Sequence, residues 1–171
     1  LLDDAFSPEL GSPRAFDGSL PEMSKEFLVT AKPMTEHSKP VRALASSPKG
    51  TRVVSVGDDG RLVLWHAKTS RKIQAWDIGQ GALHAVAYHP SGKSVLMGTE
   101  QGEVVHWDLD NGKQLASFKG HTGPVLSVTF SEDGKQAASG SKDKTVRIWD
   151  VDKATELKSL SGSTDGVAQV A

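Results

Sequence analysis

The stretch GHTGPVLSVTFSEDGKQAASGSKDKTVRIWD, Gly120 to Asp150, decides the fold. It holds three strand-length runs: VLSVTF (Val125–Phe130), QAASG (Gln136–Gly140) and TVRIWD (Thr145–Asp150). Turn formers such as Asp133-Gly134 separate them, and a further run, TELKSL (Thr155–Leu160), follows. Four strands with their reversals between Gly120 and Ser161 leave no room for a crossover helix, so neighbouring strands must run antiparallel. The unit is a four-stranded meander.

The same pattern recurs upstream without a gap. Trp65, Trp107 and Trp149 fall at one constant spacing, and Gly50, Gly92 and Gly134 keep it, as do Ser46, Tyr88 and Phe130. The units are 36–77, 78–119 and 120–161, and GSTDGVAQVA at 162–171 starts a fourth. A meander alone cannot bury both faces, whereas like units stacked side by side supply a core. The expected fold class is all-β: a partial β-propeller of about three four-stranded antiparallel blades plus the first strand of a fourth. EFLVTAK (Glu26–Lys32) lies one period before the outer strand of unit one, which marks 25–35 as a possible ring-closing outer strand. Residues 1–24 carry Pro8, Pro13 and Pro21 and no apolar period, so a disordered or extended acidic tail is expected. Ser7-Pro8 and Ser12-Pro13 fit a linker more simply than phosphorylation sites.

The constant period, the strand count, Gly120-His121, SGSKD at 139–143 and the terminal pair Trp149-Asp150 resemble the WD-repeat β-propeller family. Unit two keeps Trp107-Asp108 and unit one has Trp65-His66. The resemblance covers 36–171 and implies a non-enzymatic scaffold for protein–protein interactions in a multiprotein complex. It also implies a structural hydrogen-bond network of His121, Ser139, Asp143 and Trp149, repeated as His37, Ser55, Asp59 and Trp65. Unit two departs from it, with Gly79, Met97 and Gln101 where His, Ser and Asp would stand. Ser, His and Asp together invite a hydrolase assignment. Yet the set occurs in two of the three units, and no G-x-S-x-G elbow is present to expose a nucleophile.

In such propellers partners commonly bind the rim formed by the loop before strand one and the turn between strands two and three. The repeat register places Pro40, Arg42, Asp58, Ala82, His84, Glu100, Pro124, Leu126 and Lys142 there. These positions vary between units while the framework does not. Arg42, His84 and Leu126 combine a cation, an amphipathic ring and an aliphatic group, which suits a protein or peptide better than a phosphate backbone.

Composition narrows the classes further. With 20 basic and 21 acidic residues the net charge is −1, so nucleic acid or anionic membrane is not favoured as principal partner. Residues 1–24 set five acids against Arg14, leaving 19 basic and 16 acidic residues from Lys25 onward. That mild surplus supports the alternative, a nucleic-acid-associated subunit of a ribonucleoprotein assembly. No apolar run is long enough for a spanning helix, so membrane insertion is not expected. Cysteine is absent, which excludes disulfides and thiolate chemistry and favours an intracellular address. His84 and His89 are five apart and lack a third ligand at metal-site spacing, and no phosphate-cradling glycine loop occurs, so neither metal nor cofactor is expected. Propellers of this kind usually have about seven blades, roughly 290 residues at this period. The remaining blades are therefore expected from a longer chain or from partners.

Overall fold

Described residues 35–170 of the computed structural model lie in one unit, Lys32–Ala171. The expected tail at 1–24 and nearly all of the expected closing strand at 25–35 lie outside them. The first unit forms β1 (Val41–Ser46), β2 (Arg52–Gly57), β3 (Arg61–His66) and β4 (Arg71–Asp77). The second forms β5 (Leu83–Tyr88), β6 (Ser94–Thr99), β7 (Glu103–Asp108) and β8 (Lys113–Lys119). The third forms β9 (Val125–Phe130), β10 (Gln136–Ser141), β11 (Thr145–Asp150) and β12 (Thr155–Ser161). Each set is one antiparallel sheet in chain order, and these three sheets are the blades.

The hairpins close where the sequence supplies glycine after a polar turn. Gly50, Gly92 and Gly134 donate to the carbonyls of Ser47, His89 and Ser131 at 2.8, 2.8 and 2.9 Å. Side-chain alternation then assigns each residue of a blade to one of two interfaces. In blade two, Val95, Met97 and Val105 join Val54, Val56, Leu62 and Leu64 of blade one in a buried cluster. Their chain neighbours Leu96 and Val104 join Val125, Val128, Ala137 and Trp149 of blade three. The middle blade is buried on both faces, so β6 is apolar through most of its length rather than alternating. An aromatic of outer strands β4 and β8 meets the tryptophan of the next blade: Trp76 on Trp107, centroids 6.3 Å apart, and Phe118 on Trp149, 5.6 Å apart.

Close backbone approach fixes the inner ends. A methyl on Gly98 would lie 2.7 Å from the Val125 carbonyl oxygen of the next blade. Gly60 and Gly102 have φ of +71° and +84°, and a methyl on either would lie 2.7 and 2.6 Å from a carbonyl oxygen of the following blade's first loop. Only glycine satisfies both the left-handed backbone and that contact. The start of the fourth unit takes the corresponding place on blade three. Val167 donates to the Ser141 carbonyl at 2.9 Å and sits over Gly140 as Val125 sits over Gly98.

Gly98→Ala therefore overpacks the junction of blades two and three. A loss of about 1–3 kcal/mol in urea unfolding is expected. Loss no greater than that of Ala substitution at an exposed strand position would show that the blades are not held this closely.

Candidate functional site

An antiparallel meander places the loop before its first strand and the turn between strands two and three at one end of the sheet. In each blade one backbone hydrogen bond ties these segments together. Asp58 donates to Pro40, Glu100 to Ala82 and Lys142 to Pro124, at 3.0, 2.9 and 2.9 Å. All nine sequence-predicted rim residues lie on these segments or beside them.

The innermost ladders carry an irregularity at the same point in every blade. Ladder pairing passes from Val41 to Ala43, from Leu83 to Ala85, and from Val125 to Ser127, omitting Arg42, His84 and Leu126. A bulged residue leaves the pleat and is re-aimed. Arg42 and His84 reach the adjacent turn, and each meets an acid there. The Arg42 guanidinium donates two bonds of 2.6 Å to the Asp58 carboxylate, and His84 Nε2 pairs with Glu100. The Arg42 guanidinium holds the Asp58 carboxyl below its ordinary value, and Asp58 raises Arg42 in return, both groups remaining open to water. Leu126 and Lys142 occupy the same positions in blade three and form no such pair among the described residues. The repeat register places these residues but does not announce their pairing. The constant offset from 42 to 58, 84 to 100 and 126 to 142 is the signal it offers.

Behind the rim lie two buried polar chains. In blade three the Trp149 indole donates to Ser139 Oγ at 2.8 Å, Ser139 meets His121 Nε2 at 2.8 Å, and His121 Nδ1 meets Asp143 at 2.9 Å. A carboxylate can only accept, so Nδ1 carries the proton, Nε2 accepts from the serine hydroxyl, and that oxygen accepts from the indole. Every link of the chain thereby points in one direction. Blade one repeats it through Trp65, Ser55, His37 and Asp59 at 2.8, 2.8 and 2.9 Å. Burial would raise the Asp143 carboxyl, but Thr145, the Thr122 amide and His121 together hold it well below the usual carboxylate range. Burial likewise opposes ionisation of Asp59, which His37 and the Ser38 and Arg61 amides hold low. His121 is pushed down by burial against the pull of Asp143. Ser139 is wholly buried, and both blades fasten the loop before the first strand to the turn after the second.

Blade two has no such chain. Met97 is fully buried where the serine would be, and the Trp107 indole N–H is left without a partner. Its polar chemistry lies instead at the opposite end, where His106 Nε2 meets Ser94 Oγ at 2.9 Å. There the rings of His89, His106 and Phe130 pack together, with centroids 4.9 to 6.3 Å apart. Burial first, and His89 second, push His106 down to about 4.

A stack of four-stranded antiparallel blades with such polar chains defines a segment of a β-propeller. The family model described as "WD domain, G-beta repeat" matches residues 28–66 and 112–150. The chain carries WD repeats at these two regions. It is similar to the crystal structure of RRP9 WD40 repeats and to the structure of U3-55K, in each case with 22% identity and a TM-score of 0.75. In both comparisons 80% of this chain is covered and 43% of the other, so the chain spans less than half the length of these structures. No curated protein sequence matches it.

The polar groups differ in what their removal costs. His121→Ala leaves the buried Ser139 hydroxyl without its acceptor, at about 1–3 kcal/mol, and removes one partner of Asp143, which keeps Thr145 and the Thr122 amide. His84→Ala removes only a rim pair open to water, so its melting shift is expected to be clearly smaller, and equal shifts in a thermal melt would contradict the assignment. The folded His106 pKa of about 4 lies below the ordinary 6.5, so the stability it contributes is present above pH 6.5 and is lost as pH falls toward 4. His106→Leu, the residue blade one carries there as Leu64, is expected to lose less stability than wild type between about pH 7 and about pH 4.5. Parallel losses in urea titrations at the two pH values would place the sensitivity elsewhere.

Proposed function

We propose that this chain is part of a rigid intracellular scaffold that holds other proteins in a multiprotein complex through the rim carrying Arg42, His84 and Leu126, and that it has no catalysis of its own. One observation carries this reading: the same bulge in all three blades turns out the side chain that differs between them. A framework that repeats while its bulged position changes presents three distinct contacts at fixed spacing. Arg42 with Asp58 offers a charged pair, His84 with Glu100 an ionisable one, and Leu126 with Lys142 an aliphatic group beside a cation. Rigid, pre-organised presentation lowers the ordering cost of association.

The Ser-His-Asp sets support fastening rather than hydrolysis, because the Ser139 hydroxyl is buried and engaged by both the indole and the imidazole. The mild surplus of 19 basic over 16 acidic residues from Lys25 onward keeps a nucleic-acid-associated subunit as the second reading.

A photo-crosslinking residue placed at Leu126 is expected to capture protein in cells, while the same residue at Leu115, on outer strand β8, captures far less. Adducts from Leu115 and none from Leu126 would refute the rim assignment. RNA binding by the chain that falls steeply as salt rises would move the reading to the nucleic-acid subunit.

A further inference from the structure

Two equivalent junctions, that of blades one and two and that of blades two and three, can be compared at the end of the sheets opposite the rim. The second is filled: His89, His106 and Phe130 pack ring against ring there, and a methyl on Gly134 would collide with His89. One period earlier, the same three positions hold Ser47, Leu64 and Tyr88. The smaller Ser47 in place of an imidazole leaves a pocket of about 260 Å³, bounded by the β1–β2 turn, the β5–β6 turn and Asp110. It adjoins a groove of about 430 Å³ lined by Ile73, Trp76 and Asp110, and the two share Arg52 and Asp110 at their boundary.

The halves differ in chemistry. Lys49, Arg52 and Lys93 line the pocket against the single carboxylate of Asp110. Arg52 lies 3.6 Å from that carboxylate, a loose pair, and neither lysine joins an ion pair among the described residues. The groove is mixed, with Leu64, Ile73, Trp76 and Leu109 beside Gln74 and Asn111. A ladder irregularity in β4 expels Ile73, which stands 45% exposed, and the Trp76 indole lies over the bare Cα of Gly112. At the filled junction Lys49 and Arg52 become Ser91 and Ser94, and Trp76 becomes Phe118, almost wholly buried. Two of the three cations and the open tryptophan are therefore missing from the repeat, where Lys135 and the exposed Leu115 still hold the places of Lys93 and Ile73.

We infer that the open end of the junction between blades one and two is a binding site for an acidic peptide segment, whose carboxylates enter the pocket of Lys49, Arg52 and Lys93 while an adjoining aliphatic or aromatic side chain lies in the groove against Ile73 and Trp76. Excess positive charge selects an acidic ligand, and a mixed lining of apolar wall and few polar groups is what ligand pockets use. Asp110 separates a peptide from a nucleic-acid strand. At the boundary its carboxylate can accept a peptide backbone amide, and it repels a phosphate placed at the same point. The site lies at the end of the blades away from the rim, so it is independent of the rim reading.

The probe is a set of fluorescein-labelled hexapeptide pools carrying Glu or Asp at the first three positions and Leu, Ile or Phe at the last three, measured by anisotropy against the full chain. Saturable binding is expected, weakened by about ten-fold or more in the double variant Lys49→Glu/Lys93→Glu, which touches only exposed turn side chains. Ser47→His installs the side chain that blade two already carries at that position and is expected to abolish binding by filling the pocket. Arg42→Glu on the rim is expected to leave binding unchanged. The inference is overturned if no pool saturates, if the double charge reversal has no effect, or if Arg42→Glu removes binding. It is also overturned if a single-stranded RNA oligonucleotide binds more tightly than every pool and is lost in the same double variant. Should Ser47→His fail to fold by circular dichroism, the lysine variant alone decides.

Discussion

The middle sheet of this chain has two apolar faces, and a neighbouring sheet covers each of them. In β6 consecutive residues enter opposite interfaces, Val95 and Met97 on one side, Leu96 on the other. A strand of that kind cannot serve a one-sided sheet, since half of its side chains would lie in water at a cost of about 25 cal/mol per Å² of apolar surface. Stacking is thus the condition for folding at all, and the features of the rim and the groove follow from how the stacked blades meet. Gly60, Gly98 and Gly102 mark where the meeting is closest, because any side chain there would displace the next blade's backbone.

Stacking fixes apolar contacts but does little to hold loops, and here the blades differ. In blades one and three a one-directional polar chain runs from indole to carboxylate and ties the loop before the first strand to the turn after the second. Such a chain gains strength from the low-dielectric interior, and the same interior makes any missing member costly. Blade two lacks every member but the tryptophan. Its loss is consistent: the serine position becomes a methionine in the core cluster, so only one indole N–H is left over. Blade two has apolar contact on both faces.

Much of this is legible in the sequence because the repeat is exact in length. A constant register read from Trp65, Trp107 and Trp149 is enough to give strand number and antiparallel order, and the family resemblance supplies the positions of the polar chains. Every strand of the third unit begins where its residues suggest. Features set by departure from regular geometry are not legible in this way. The bulges at Arg42, His84 and Leu126 have no residue signature, since a cation, an imidazole and an aliphatic group all tolerate the position. The ring cluster of His89, His106 and Phe130 is equally hidden, because its members come from different strands and two blades. Spacing along the chain sets His89 only beside His84, a pair with no third metal ligand, whereas the ring partners of His89 include Phe130 across the junction.

Repetition also shows where the chain departs from its own rules. Positions that repeat in type, such as the tryptophans and the turn glycines, carry packing common to the blades; positions that repeat in place but not in type set what differs between them. At the rim this variation is confined to three bulged side chains and the turn residues facing them. At the far end it reaches into the junction itself, where Ser47 and His89 hold the same place and produce opposite results, one an open cationic pocket and the other a filled interface. Both junctions satisfy the same stacking requirement, since Trp76 with Trp107 and Phe118 with Trp149 make equivalent contacts. The difference is therefore not forced by the fold. A side chain as small as serine at position 47 gives up packing that its own repeat achieves, and the structure tolerates that loss because blade contact is secured by the glycine approaches and the indole pairs at other points of the same interface.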